Sequence, residues 1–223
     1  MYQGFGSARR RRDLASDLTG LGENMTKKRD SKFLYAAGGA MLAAWGMNSI
    51  ANGAEPRRII QFQMTSTTFE DGGLIPPKVG YTKTSEFPAC FGQNISPQLS
   101  WVNVRAEVKS FALTVHELED PPNVSLVVYG IPANVRSLSE GELSEPSDKF
   151  VGGKNARSMG TWRGMCPMPG QKKHYEYTMR GTDLDPKALP PGLTTQELDT
   201  RLDGHTLGRA VLVGRFDRDK QVP

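Results

Sequence analysis

Two cysteines and three histidines in 223 residues leave little material for metal or thiol chemistry. The histidines, His116, His174 and His205, lie far apart, and none has the i, i+4 partner of a zinc-binding helix, so no metal and no cofactor is expected. The Gly-x-Ser-x-Gly elbow, the P-loop and the dinucleotide fingerprint are all missing. No nucleophile, base and orienting group can be assembled from what remains, so the chain is expected not to be an enzyme. Long apolar runs are missing too: the longest, Phe33 to Met47, is about fifteen residues, short of the ~20 a helical bilayer span needs. The body of the chain also lacks an excess of either charge. Residues 1–34 hold eight Lys/Arg against four Asp/Glu and carry the whole net charge of +4, whereas from Glu55 onward there are twenty of each sign. The basic pI is therefore no argument for nucleic-acid binding by the folded part.

What the first residues do contain is the order of a secretory signal. Lys27, Lys28, Arg29 and Lys32 precede the apolar run, and Ser49-Ile-Ala51 or Asn52-Gly-Ala54 then offers small residues for cleavage. A leader with a cleavable signal is expected over residues 1–54, with the signal around 25–54, and export to the periplasm or beyond follows. An uncleaved anchor and a plain soluble tail are the alternatives. No Cys follows the apolar run, which excludes a lipoprotein anchor there. One domain is expected over residues 55–223.

Fifteen prolines and twenty-four glycines punctuate short β-rich runs. These are Ile59 to Thr65, Ser110 to His116, Val124 to Tyr129, His174 to Met179 and Ala210 to Phe216, the pattern of an antiparallel β protein. One helix is legible: Thr194-Thr-Gln-Glu197 is a capping box, Leu198 and Leu202 share a face, and Gly204 ends it. Ser139 to Val151 reads as a long acidic surface loop. Cys166-Pro-Met-Pro-Gly170 cannot be helical, because Pro167 and Pro169 remove N–H groups and fix φ. It runs into a strand with Tyr175 and Tyr177 on one face and Glu176 on the other. A stiff loop at a strand end suits the holding of polar groups over a small concave site.

Phe69-Glu-Asp-Gly-Gly-Leu-Ile-Pro76, Gln93-Asn-Ile-Ser-Pro-Gln-Leu-Ser-Trp101, Ser110-Phe-Ala-Leu-Thr-Val115, Val127-Val-Tyr-Gly-Ile-Pro-Ala133 and Gly204-His-Thr-Leu-Gly-Arg-Ala210 occur in order with the Cys-Pro loop. Together they resemble the phosphatidylethanolamine-binding protein family, in particular its bacterial Raf-kinase-inhibitor-like branch, over roughly Phe62 to Arg218. The resemblance implies a mainly β fold: a large antiparallel sheet packed on a smaller sheet, with a peripheral helix near the carboxyl end. It also implies an anion-sized pocket built from Asp-Pro-Asp-x-Pro, a His-Trp pair and a His-Arg-Tyr after the Cys-Pro loop.

This chain departs from that pattern at nearly every polar position. Glu117 falls at the first Asp, Leu118 at the Pro and Glu119 at the second Asp; Ser125 and Leu126 replace His-Trp. Lys173 and His174 replace His-Arg, Tyr175 is kept, and Phe91 stands for an Asp before Asn94-Ile-Ser-Pro97. In one reading Lys173 supplies the cation, Ser125 donates, and Glu117, Glu119, Cys166, Pro167 and Tyr175 frame a site for a small anionic ligand or phospho-head group. In the other the pocket has decayed, Lys173 is a solvated loop residue, and the chain is a protein-interaction or inhibitor module acting through Trp162 and the 139–151 loop. Trp162 and Arg163 read as a cation–aromatic rim or as exposed decoration. His116 and Glu117 alternate across a strand, and His205 reads as a satisfied packing histidine. Export makes a Cys90–Cys166 disulfide reasonable, closing a loop of about 76 residues and contributing ~4 kcal/mol in the chain-entropy picture; two free thiols are the alternative. The resemblance implies that the two segments lie near each other.

Overall fold

The computed structural model of the protein describes residues 61–119 and 123–220. The leader and signal expected over 1–54 lie outside the described residues, as does the start of the expected strand at Ile59.

Among the described residues the short apolar runs form eight strands in two antiparallel sheets. The smaller sheet has the order β1 (Gln63–Thr65), β2 (Leu99–Val102), β5 (Ser137–Leu138). The larger comprises β3 (Ser110–Glu117), β4 (Val124–Pro132), β6 (Val151–Gly152), β7 (Lys172–Thr182) and β8 (Thr206–Asp217), in the order β6-β4-β3-β7-β8. This is the expected mainly β architecture. The longest strands outrun their apolar signals: β7 begins two residues before His174 and β8 four before Ala210, because a ladder continues wherever a partner strand supplies hydrogen bonds.

Side-chain alternation divides the large sheet into two faces. Phe111, Leu113 and Val115 of β3, with Tyr175, Tyr177 and Met179 of β7, pack with Leu99 and Trp101 of the small sheet in the main core. Trp101 meets Phe111 edge-on at 5.3 Å. On the other face Ala112, Val127 and Tyr129 receive Leu198 and Leu202 of α1 (Thr195–Leu202). β3 is thus buried on both sides over most of its length, which is why Phe111, Ala112 and Leu113 are apolar in succession instead of alternating with polar residues. The helix starts where the capping box places it: Thr194 Oγ1 accepts from Glu197 N, and Thr194 N donates to Glu197 Oε2 at 2.8 Å. Burial of Leu198 and Leu202 stabilises the docked helix by about 1.5–3 kcal/mol each.

The 139–151 segment is the expected surface loop for most of its length but is pinned inward at Leu143 and Phe150. A short 3-10 turn at Glu142–Ser144 buries Leu143 completely, and the Ser96 hydroxyl accepts from Leu143 N. The acidic residues suggest an exposed segment, yet Lys149 Nζ neutralises Glu142 at 2.6 Å.

Candidate functional site

The end of β3 and the start of β7 lie side by side, with Glu117 opposite Tyr175 and His116 opposite Glu176. Residues directly opposite share a face. Glu117 and Tyr175 therefore meet, and the Tyr175 hydroxyl donates to Glu117 Oε2 at 3.1 Å. Lys173, two residues back on the same face, places Nζ 2.9 Å from Glu117 Oε1. The Lys173 and Glu117 side chains are only 15% and 10% exposed, so Lys173 is half of a largely buried ion pair and not a solvated loop residue. Burial, then the charge of Glu117 and its hydrogen bond, push the Tyr175 hydroxyl far above the ordinary tyrosine range.

Glu119, one turn of the pleat further out, holds the next residue of β7. It accepts from His174 N at 2.9 Å and lies 2.8 Å from His174 Nδ1. Burial acts to raise the Glu119 carboxyl, but the hydrogen bonds from the His174 ring and N–H together outweigh it and leave it below its usual range. Glu117 and Glu119 thus grip successive residues of β7, with Leu118 between them donating its N–H to His174 O.

A second cation approaches from the segment before the Cys-Pro loop. Arg163 N donates to Ser125 O, Nη1 donates to Asn123 Oδ1 at 3.1 Å, and the guanidinium lies 5.9 Å from the Tyr81 ring centre. Its Nε–H is buried and has no partner among the described residues. Burial pulls the Arg163 guanidinium below the ordinary arginine range, and the nearby Tyr175 and Glu117 act in the opposite direction.

Asn94 positions this segment. With φ of 57°, in the left-handed region that Asn tolerates, it accepts from Gly164 N at 2.7 Å through its side-chain oxygen and donates to Trp162 O through Nδ2. Backbone meets backbone here. A Cβ on Gly164 would stand 2.4 Å from the carbonyl carbon of Gly80, and one on Gly92 would stand 2.0 Å from the Gly80 oxygen. Only glycine fits at either position.

Cys90 and Cys166 are joined in a disulfide, with Cα atoms 5.5 Å apart. Arg218, buried, spans the same two segments. It donates to Pro167 O at 2.9 Å and to Ala89 O, and its guanidinium stacks over Phe91 at 5.1 Å. Phe91, in the place of an acidic residue, therefore serves as a platform for a cation.

Other expected site residues are placed differently. Ser125 is buried and lies at an irregularity in the β3–β4 ladder, between Val124 (opposite His116) and Leu126 (opposite Val115). What it contributes is its carbonyl, which accepts from Arg163 N and Asn155 Nδ2; its hydroxyl makes no hydrogen bond to Glu117, Lys173 or Tyr175. Pro167 likewise contributes a carbonyl, and Cys166 a covalent tie. Trp162 is neither rim nor decoration: it is wholly buried, stacks on Tyr177 at 6.1 Å and donates to Val79 O. An indole beside an arginine before a Pro-rich loop reads as surface, but the glycine contacts pull the segment inward. His205 is satisfied by Asp183 at 2.8 Å but half-exposed, so it pairs with a carboxylate at the surface instead of packing in the core. Of the expected Trp162–Arg163 rim, only the cation lies at the site; Arg218 as a strut carried no sequence signal, and Asn94 lay in a motif that gave no hint of its conformation.

The model of the family described as phosphatidylethanolamine-binding protein matches residues 65–217. A UPF0098 protein of Methanothermobacter thermautotrophicus is 34% identical, over 67% of this chain and 95% of the relative. One from Aquifex aeolicus is 30% identical over 70% and 89% respectively. Among solved structures, the phosphatidylethanolamine-binding protein homolog CT736 of Chlamydia trachomatis superposes with a TM-score of 0.61 at 29% identity, covering 72% of this chain and 99% of that one. E. coli YbcL, at 22% identity, shares the fold with a TM-score of 0.63, over 73% of this chain and 99% of its own. The matched segment holds the large sheet, all of the small sheet but the first two residues of β1, the helix and the whole Glu117–Lys173–Arg163 site, and the chain belongs to the phosphatidylethanolamine-binding protein family.

Proposed function

We propose that the chain is an exported, non-enzymatic binding protein that takes a small anionic or phospho-group ligand at the Glu117–Lys173–Arg163 site. The observation that carries this reading is the Arg163 guanidinium. Glu117 is already bonded to Lys173, whereas Arg163, drawn below its ordinary range by burial, has no carboxylate within ion-pair distance among the described residues and only Asn123 as a side-chain hydrogen-bond partner. A partly buried cation without a bonded counter-charge favours an anion. Arg163 supplies directional donors where Lys173, already held by Glu117, supplies field. The non-enzymatic reading rests on the sequence, from which no nucleophile, base and orienting group can be assembled; the two cysteines are held in the disulfide. The disulfide and the amino-terminal signal pattern support an oxidising, extracytoplasmic destination.

Calorimetric titration of the full chain with inorganic phosphate and with phosphorylethanolamine tests this. Arg163→Met is expected to weaken binding about 10- to 100-fold, the equivalent of one charge-assisted hydrogen bond. No heat from the unmutated protein with either ligand refutes the reading.

A second reading, a protein-interaction or inhibitor module, draws on Leu118 and Met168, which are 50% and 63% exposed beside the site. A partner would meet these and not Trp162, which is buried. Retention of a partner from native extract by the unmutated chain, lost in Leu118→Asp/Met168→Asp, distinguishes the two.

A further inference from the structure

β8 is an edge strand of the large sheet, paired with β7 on one side. Part of its other side is covered by the chain itself. Gly72 N donates to Val213 O, Arg215 N to Gly73 O and Ile75 N to Arg215 O, and Leu74 bridges Arg215 in parallel. Asp71 Oδ1 completes this cover by accepting from Val213 N at 2.9 Å. The cover stops there because the chain turns away. Gly73 N donates to Glu70 O, and Gly72 takes a φ of 70°, which glycine adopts without strain.

Along a strand, backbone N–H and C=O groups point to alternate sides. Val213 and Arg215 turn theirs to the covered side, so Val211 and Arg209 turn theirs the same way further along. The β7–β8 register is unbroken from Gly208 to Asp217, so the alternation holds. The N–H and C=O groups of Val211 and Arg209 have no partner among the described residues. Both residues are exposed, Val211 by 41%, so this row of groups is within reach of another chain. An open row of this kind is a template for a further strand.

Against this stretch lies a groove of about 670 Å³, lined by residues 61–65 on the β1 side and by residues 209–211 on the β8 side. Five residues at ~3.3 Å each make it ~17 Å long, so 670 Å³ corresponds to a section of about 40 Å². One strand in packed sheets occupies ~4.8 Å by ~10 Å, about 48 Å². The groove is therefore one strand wide. That suits a free extended segment and not a strand still paired within another sheet, whose neighbour doubles the section.

We propose that this groove binds an extended peptide segment of a partner protein as an added strand on β8. The peptide backbone meets the N–H and C=O groups of Arg209 and Val211 and continues the line that residues 72–75 begin. The walls select its side chains. The exposed Val211 favours a β-branched or aromatic residue beside it. Asp71, exposed and in no ion pair among the described residues, favours Lys or Arg at the end nearest the turn. Glu176 and Arg209 meet each other at 2.6 Å and add no net charge. None of these residues belongs to the Glu117–Lys173–Arg163 site, so the inference is independent of the anion reading.

The test is titration of the isotope-labelled full chain with the blocked peptide acetyl-Lys-Val-Thr-Val-Thr-amide, followed by nuclear magnetic resonance. The Arg209 and Val211 amide signals are expected to shift and their hydrogen exchange to slow at least tenfold, while Lys173 and His174 stay unmoved. Two further peptides carry N-methyl groups on the valines or on the threonines, and only one of these rows faces β8. One is expected to bind at least tenfold more weakly and the other as well as the parent. Val211→Pro removes a donor that an edge strand does not need for folding, and is expected to weaken binding about tenfold at an unchanged melting temperature. Val211→Lys, which places a charge on the edge, serves if Val211→Pro does not fold. Unmoved Arg209 and Val211 signals at millimolar peptide overturn the proposal, as does equal binding by all three peptides. Protection of the same amides that rises with protein concentration in the absence of peptide also overturns it, since a second copy then covers the edge.

Discussion

Replacing Lys173 with methionine probes the site most directly. The substitution keeps the length and apolar stem of the side chain but removes the charge 2.9 Å from Glu117 Oε1. Glu117 would keep the Tyr175 hydroxyl on Oε2 and the more distant field of Arg163, and would otherwise stand as a stranded carboxylate. Removing one partner of a buried pair costs about 3–5 kcal/mol. Exposures of 15% and 10% let water relieve part of this, so the low end, about 3 kcal/mol, is expected. For a chain of this size that corresponds to a melting temperature lower by roughly 6–12 °C. Glu117→Gln should cost less, about 1–2 kcal/mol, because a freed lysine can swing its ammonium to solvent. The double variant should be milder than the two single losses combined, with a coupling of about 1–2 kcal/mol. Chemical denaturation of all four proteins completes the cycle. Additive losses, or a shift below about 2 °C for Lys173→Met, would refute the claim that this pair is buried and coupled.

Three other perturbations follow from the geometry. Tyr129, Tyr175 and Tyr177 are all pushed above the ordinary tyrosine range, chiefly by burial. A raised folded-state value contributes stability that is complete below about pH 10 and is lost as pH climbs beyond it, so alkaline unfolding and the appearance of their tyrosinate absorbance should coincide; ionisation of all six tyrosines before unfolding would contradict this. Cys90→Ala/Cys166→Ala should lower stability by about 2–4 kcal/mol without releasing the Cys-Pro loop, since Arg218 still binds Pro167 O and Ala89 O; adding Arg218→Met should then expose the loop to protease, and cleavage of the double-Ala protein alone would argue against that strut. Asn94→Ala should cost about 2–3 kcal/mol by removing bonds to Gly164 N and Trp162 O and straining a left-handed residue, read by denaturant midpoint, with an unchanged midpoint counting against its role.

The scaffold was legible where periodicity and capping act locally. The β3 apolar run, the Tyr175/Tyr177 alternation and the Thr194–Glu197 box each specify their element within a few residues. The Cys90–Cys166 pairing drew on the family likeness for the proximity of its two segments. The site was only half legible. Glu117, Lys173 and Tyr175 were nameable from motif positions, but their mutual bonding depends on the β3–β7 register, which no local pattern sets. Arg163 was nameable only as a rim residue, because its environment comes from segments 40 to 82 residues away, around Asn123 and Tyr81. Trp162 misled for the same reason: an aromatic side chain beside a Pro-rich loop looks like surface until the long-range contact with Val79 is known.

The contacts that glycine permits among residues 80, 92 and 164 have a mechanical consequence. Where peptide planes touch with no side chain between them, there is no soft rotamer to absorb a displacement. Three stretches of chain must then shift in concert or stay put. A displacement at Arg163, one residue before Gly164, is therefore shared by the stretches that carry Tyr81 and Phe91.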